Sequence, residues 1–280
     1  MAFSSLLQDR AIIALKGAET RNFLQGLVTN DMTTCREGHA IYAALLTPQG
    51  KILFDFFVVR SGEDEFLLDC AHARLADLTK RIALYRLRAK VEIAPRPDLS
   101  VAAFWGQDAK PEVEGKAIAF TDPRHPALGL RALGTPEVLA AVTRGTAAGD
   151  YHAHRLVLGV PDSADLPPDQ VFALDAGMEE LKGVDFKKGC YVGQEVTSRM
   201  KHRATARRRF LVAEIAGGLP PPGTPLEAEG REIGTLATGT RGRAMALVRL
   251  DRFAEAQQKA TPITAAGQPL TLAKPEWFDV

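Results

Sequence analysis

The stretch Lys187-Lys188-Gly189-Cys190-Tyr191-Val192-Gly193-Gln194-Glu195 places two cations, a thiol, two glycines, an aromatic ring and a carboxylate within nine positions. A cysteine two residues from a lysine is biased toward its thiolate, and a helix starting near Tyr191 would add the positive end of its dipole. Cys190 therefore reads as a reactive thiol in preference to a small core residue, with Lys188 as the cation that favours it. Gly189 and Gly193 would let the backbone approach a neighbour closely. Tyr191 offers a stacking face. Gln194 and Glu195 are either first-turn helix residues or an amide and acid that bind a flat heterocycle with N–H donors.

Around this stretch the charge is local. The whole chain carries 35 Lys and Arg against 34 Asp and Glu, so its net charge argues for neither nucleic acid nor a membrane surface as a general partner. From Lys182 to Arg209, however, nine cations face only Asp185 and Glu195. That basic run, Arg199 to Arg209 above all, suits a solvated face, the carboxylates of an anionic small molecule, or nucleic-acid phosphates. Aromatic residues do not interleave with Arg199–Arg209, which counts against single-stranded nucleic acid.

Farther out, strand and helix periods alternate. Ala11–Leu15 reads as a strand, Glu19–Val28 as a helix, and Ile41–Leu46 with Ile52–Val59 as a hairpin around Thr47-Pro48-Gln49-Gly50. Glu65–Cys70 reads as a strand and the Leu75, Leu78, Ile82, Tyr85 stripe as a helix, followed by a strand at Ala89–Ile93. A second strand group runs through Val101–Trp105, Ala117–Phe120 and Leu128–Ala132, with helices at Pro136–Val142 and Tyr151–Leu158. From Phe210 onward, short strands with turn residues predict a small β-barrel or sandwich. Asp55, inside the apolar run Ile52–Phe57, either faces solvent or a cleft or is paired, with Lys51 as the local partner.

Three cysteines far apart, with no Cys-x-x-Cys, suggest neither a disulfide framework nor zinc, and the six histidines form no metal pattern. Phosphate-loop, dinucleotide and Gly-x-Ser-x-Gly motifs are absent. No apolar run is long enough to span a bilayer, which of about 18 residues would be needed. The first ten residues lack the layout of a secretory signal, so a cytoplasmic, reducing setting is expected.

Lys188-Gly189-Cys190-Tyr191-x-Gly193-Gln194-Glu195 resembles the signature of the YgfZ-type folate-binding proteins, relatives of the glycine-cleavage T-protein. Phe23–Asp31, Gly50–Asp55 and Gly183–Lys187 resemble further blocks of that family in the same order. The resemblance implies a three-domain, ring-like α+β fold ending in a C-terminal β-barrel: a core of residues 1–95 plus 151–205, a second α+β domain of 96–150, and a barrel of 206–280. It implies tetrahydrofolate, or a derivative, in a central cavity, and a role with iron–sulfur client or assembly proteins. Cys190 and Lys188 are then the key residues, with Asp55, Asp175, Tyr191, Gln194, Glu195 and Arg199 toward the cofactor.

Two departures bear on mechanism. Phe54 and Val157 stand where aminomethyltransferases have acids, so glycine-cleavage activity is not expected, and folate would need Asp175, Glu180 or Glu195 instead. A folate-dependent one-carbon transferase using Asp55 and an RNA-binding module using Arg199–Arg209 are the alternative readings.

Overall fold

The computed structural model describes all 280 residues except 108, 110, 112, 114, 144–147, 204, 205, 279 and 280. Its first strands divide at once: β1 (Ala2–Leu6) and β2 (Arg10–Lys16) enter different sheets. After α1 (Thr20–Gln25) come β3 (Ile41–Leu46), β4 (Ile52–Arg60) and β5 (Glu65–Ala71), then α2 (Leu75–Arg86) and β6 (Glu92–Pro95). These form an antiparallel sheet in the order β3-β4-β5-β2-β6.

That sheet is apolar on both faces, and strand alternation sorts the residues. Ile13, Leu15, Phe56, Val58, Phe66 and Leu68 pack under α1 and α2 with Leu24, Leu78 and Ile82. Ile12, Ala14, Phe57, Val59 and Leu67 point the other way and meet Val101, Ala103, Phe120 and Leu133. Asp55 shares the parity of Phe57 and Val59, so the strand aims it between the sheets.

The opposing sheet contains β7 (Ser100–Gly106), β8 (Ala117–Thr121) and β9 (Leu130–Gly134), in the order β1-β7-β9-β8. β1 pairs with β7 along its whole length, Ala2 opposite Gly106 to Leu6 opposite Ala102, and Phe3 stacks on Trp105. The expected core of 1–95 thus differs at its start, because the first strand is an edge of the second sheet. The expected strand at Ala89–Ile93 begins later, at Glu92. Of the expected strand Leu128–Ala132, the beginning is a 3-10 turn over Pro126–Leu128.

Helices α3 (Pro136–Val142) and α4 (Ala148–Val157) follow, the first capped by the Thr135 hydroxyl and opened by Pro136. After α5 (Gln194–His202) comes a closed barrel, with strands β10 (Arg208–Ile215), β11 (Pro225–Ala228), β12 (Arg231–Thr240), β13 (Arg243–Arg249), β14 (Ile263–Ala265) and β15 (Gln268–Ala273), and α6 (Leu250–Gln258) between β13 and β14. Closure leaves no sheet edge. Residues 217–224 are a Gly/Pro-rich connection outside the ladder.

Candidate functional site

The segment from Leu166 to Gly193 has no regular structure, yet it is held at both ends. Ile52 N donates to Val171 O and Asp169 N to Ile52 O, which fastens one end to the start of β4. At the other end the Thr29 hydroxyl donates to Gly183 O at 2.6 Å, Asn30 Nδ2 to Lys182 O at 2.7 Å, and Asp185 N to Thr29 O at 3.0 Å. Buried Val171, Leu174, Met178, Leu181 and Val184 lie between these ties. The signature is thereby delivered to the C-terminal end of α1 and to the β3–β4 turn.

Lys188 turns inward. Its ammonium donates to Gln25 O, at the end of α1, at 2.7 Å and to Val28 O, three residues beyond the helix. It lies over the Tyr191 ring at 5.0 Å, and Asp185 Oδ1 accepts from the backbone N–H of Lys187 and Lys188 at 2.6 and 3.1 Å. Burial pulls the Lys188 pKa down to about 8, against the attraction of Asp31 and Asp185. Lys188 is therefore the bolt that fixes the loop to α1, and its charge is spent on carbonyls.

Tyr191 is buried as well, with the Thr197 side chain beside its hydroxyl. Burial raises that phenol to about 12. Two positions later Gly193 has φ +84° and caps α5, and a Cβ there would lie 2.5 Å from Thr47 O and 3.2 Å from Gly50 Cα. Only glycine permits this contact between the signature and the hairpin turn. Gly189 is different: a Cβ on it would meet nothing within 4 Å. The close approach expected of both glycines belongs to Gly193.

Cys190, between the inward Lys188 and Tyr191, is exposed. Helix α5 starts at Gln194, later than the expected start near Tyr191, so Cys190 precedes the helix by four residues. The other two thiols are buried: Cys35 donates to Val58 O and Cys70 to Ala11 O, and burial raises them to about 11 and 12. Of the three thiols, Cys190 is thus the one that solvent and a partner can reach.

The other sequence candidates are dispersed. Gln194 and Glu195 occupy the first turn of α5, with the Glu195 side chain 93% exposed and its nearest cation, Arg199, at 4.0 Å. Asp175 is buried against Arg208 Nε at 3.2 Å, and Glu180 holds Arg209 at 2.7 Å. Lys201 is paired with Glu179. Much of the basic run is therefore neutralised by the preceding segment, which removes the continuous cationic ridge that an RNA-binding reading needs. Phe54 lies beneath Arg74, while Val157 is exposed.

Asp55 belongs to a separate, deeply buried assembly. Its partner is the Tyr42 hydroxyl at 3.1 Å, whereas Lys51, the expected partner, lies over Phe172. Around it, Asp69 binds Arg10 at 2.6 Å and Arg131 at 2.8 Å, and Asp122 binds Arg124 at 2.8 Å and Arg131 at 3.1 Å. Arg155 reaches Asp165 at 2.7 Å and the Thr238 hydroxyl of β12 at 2.8 Å. The guanidinium of Arg131 stacks over Phe57 at 4.3 Å, and that of Arg124 at 4.8 Å. This network joins both sheets, α4 and the barrel. Burial raises the Asp55 carboxyl, whereas Arg124 and Arg131 hold Asp122 below the usual range despite its burial.

Apart from Asp55, the network was not singled out from sequence. Its signals are there as lone charges in apolar strands: Asp69 in Phe66–Cys70 and Arg131 between Leu130 and Leu133. Among the described residues, no group of three His, Cys, Asp or Glu is placed to hold a metal ion.

Comparison with known proteins agrees with this architecture. Residues 9–112 match the GCVT N-terminal domain family, and 207–280 match the CAF17 C-terminal beta-barrel domain. The glycine cleavage system aminomethyltransferase T of Bartonella henselae superposes with a TM-score of 0.78 over 99% of this chain and 86% of that one, at 16% identity, which establishes the T-protein fold. The human iron–sulfur cluster assembly factor IBA57, mitochondrial, is 34% identical, with 86% of this chain and 76% of the human protein aligned. The Mus musculus protein of the same name is 32% identical over 87% and 76%. These relatives are mitochondrial, which overturns the cytoplasmic setting expected from the N-terminus. At this identity and coverage, the chain belongs to the IBA57 family of iron–sulfur cluster assembly factors.

Proposed function

We propose that this protein is an accessory factor in the assembly or repair of iron–sulfur proteins, of the YgfZ type, and that it acts through Cys190. The observation that carries the reading is the contrast within the signature: the loop is bolted down by Lys188, Asp185 and Gly193, while the one exposed thiol is held outward. Clusters are held by sets of thiolates, typically four. Cys190 is the chain's single accessible thiol, so the remaining ligands to a cluster come from the protein that brings or receives it. Its role is a transient thiolate ligand or nucleophile, with Lys188 and Tyr191 as positioning residues that keep the loop rigid.

Tetrahydrofolate is the cofactor that the fold suggests. A pterin edge presents N–H donors and requires a free carboxylate. Asp55 is 6% exposed, accepts from Tyr42 and lies among arginines; Asp175 and Glu180 are paired with Arg208 and Arg209, and Glu195 points to solvent. Gln194 and Arg199 are on α5, away from that network's ion pairs. None of these four acids offers a free carboxylate in an enclosed wall, so they do not fit a pterin grip. The same occupancy argues against a one-carbon transferase based on Asp55.

The functional reading is tested in cells lacking the protein. Iron–sulfur enzyme activities are expected to fall while cluster-free enzymes stay normal, and the wild-type chain restores them. Unchanged iron–sulfur activities would refute the role. Calorimetric titration with reduced folates is expected to show no heat and no thermal stabilisation, and saturable binding would overturn the argument about the acids.

A further inference from the structure

The C-terminal half of α2 carries a surface feature unrelated to the signature. Between Asp77 and Glu92 the chain has five cations, Lys80, Arg81, Arg86, Arg88 and Lys90, and no acid. All five are exposed, and Lys80, Arg81 and Arg88 form no ion pair among the described residues. The acids bounding the run are Asp77, 3.5 Å from Arg74, and Glu92, and Glu19 accepts the backbone N–H of Lys90. The local field is positive.

Within this cationic end, Leu84 is 63% exposed and Leu87 is 87% exposed. They are three residues apart and project from the end of a helix whose other side, Leu78 and Ile82, is buried in the core. Leu87 also caps α2 with φ +45° and ψ −107°, a conformation that a branched side chain adopts only at a cost and that glycine would adopt freely. Folding alone would favour glycine or a polar residue at that cap. A strained, solvent-facing leucine flanked by Arg86 and Arg88 is explained by contact with something apolar and negatively charged.

We propose that this end of α2 is a peripheral docking surface for an anionic phospholipid membrane. The cations meet lipid phosphates, and Leu84 and Leu87 enter the boundary between headgroups and acyl chains. RNA phosphates would satisfy the cations but offer nothing to two aliphatic side chains. No helix among the described residues is long and apolar enough to cross a bilayer, so the contact is confined to the surface.

Sedimentation of the full chain with vesicles tests the proposal. Binding is expected to vesicles of phosphatidylcholine mixed with phosphatidylglycerol, absent with phosphatidylcholine alone, and weakened by salt. Replacing both leucines, Leu84→Ser with Leu87→Ser, should weaken binding roughly tenfold or more, because each loses its apolar insertion. Leu87→Gly should weaken binding while raising the melting temperature, which no purely structural role for Leu87 would produce. The proposal is overturned if the protein ignores anionic vesicles, if the leucine variants bind as well as wild type, or if only polyuridylate RNA binds in a salt-dependent way.

Discussion

The network around Asp55 and the loop around Cys190 use the same materials to opposite ends. In the network, cations and acids from both sheets, α4 and the 3-10 turn at Ser163–Asp165 are locked to one another out of water, and an arginine reaches across to the barrel. In the loop, the cation is locked to backbone carbonyls, and the thiol beside it, through which we propose the protein acts, is exposed. A T-protein fold can thus fill its junction with ion pairs, and on the proposed reading its chemistry lies at the exposed thiol instead. A shared fold does not by itself preserve a site.

If the network holds the junction, breaking it has the largest effect. Arg131→Met leaves Asp69 and Asp122 buried without one of their cations and should cost about 3–5 kcal/mol in denaturant unfolding. Alkylation of Cys190 in the folded variant should be unchanged. Gly193→Ala attacks the loop and should cost about 2–4 kcal/mol, since the added Cβ meets Thr47 O and the residue keeps a positive φ. It should also change the rate at which Cys190 reacts.

Lys188 sharpens the comparison through pH. Its folded pKa, about 8, lies below the ordinary 10.5, so between these values the unfolded chain binds more protons. Stability from this group therefore rises with pH across that window, by on the order of 2 kcal/mol, and the rise should vanish in Lys188→Met. Unfolding curves at several pH values check it. Asp55→Asn has the smallest effect and the opposite sign from Arg131→Met. Burial raises the Asp55 pKa, so wild-type stability falls as pH climbs from the unfolded value, 3.8, through the folded one. At neutral pH the amide should stabilise by up to about 1 kcal/mol, measured by the same unfolding curves.

Much of the fold was legible because its periods are local. Ile41–Leu46 and Ile52–Val59 alternate as strands around a Pro-Gln-Gly turn, and the turn-rich C-terminus closes as a barrel. β1 was missed because Ser4 and Ser5, both buried, hide an apolar pattern that Phe3 and Leu6 only outline. The signature was legible as a motif but not in its directions. Adjacency in sequence suggested that Lys188 serves Cys190, whereas Gln25 at the end of α1 and Val28 just beyond it, 163 and 160 residues earlier, supply the carbonyls that claim it. Likewise, the partners of Asp55 lie on other strands, where no local pattern could name them.

The central claim is that function resides in the single exposed thiol and not in the buried network. Cys190→Ser, Cys35→Ser and Cys70→Ser are compared in cells lacking the protein, with the melting temperature of each purified variant measured alongside. The account predicts that Cys190→Ser melts within the range of a surface substitution, about 0.5 kcal/mol of wild type, and fails to restore iron–sulfur enzyme activity. Either buried variant that still folds should restore it. Full restoration by a folded Cys190→Ser protein would contradict the account.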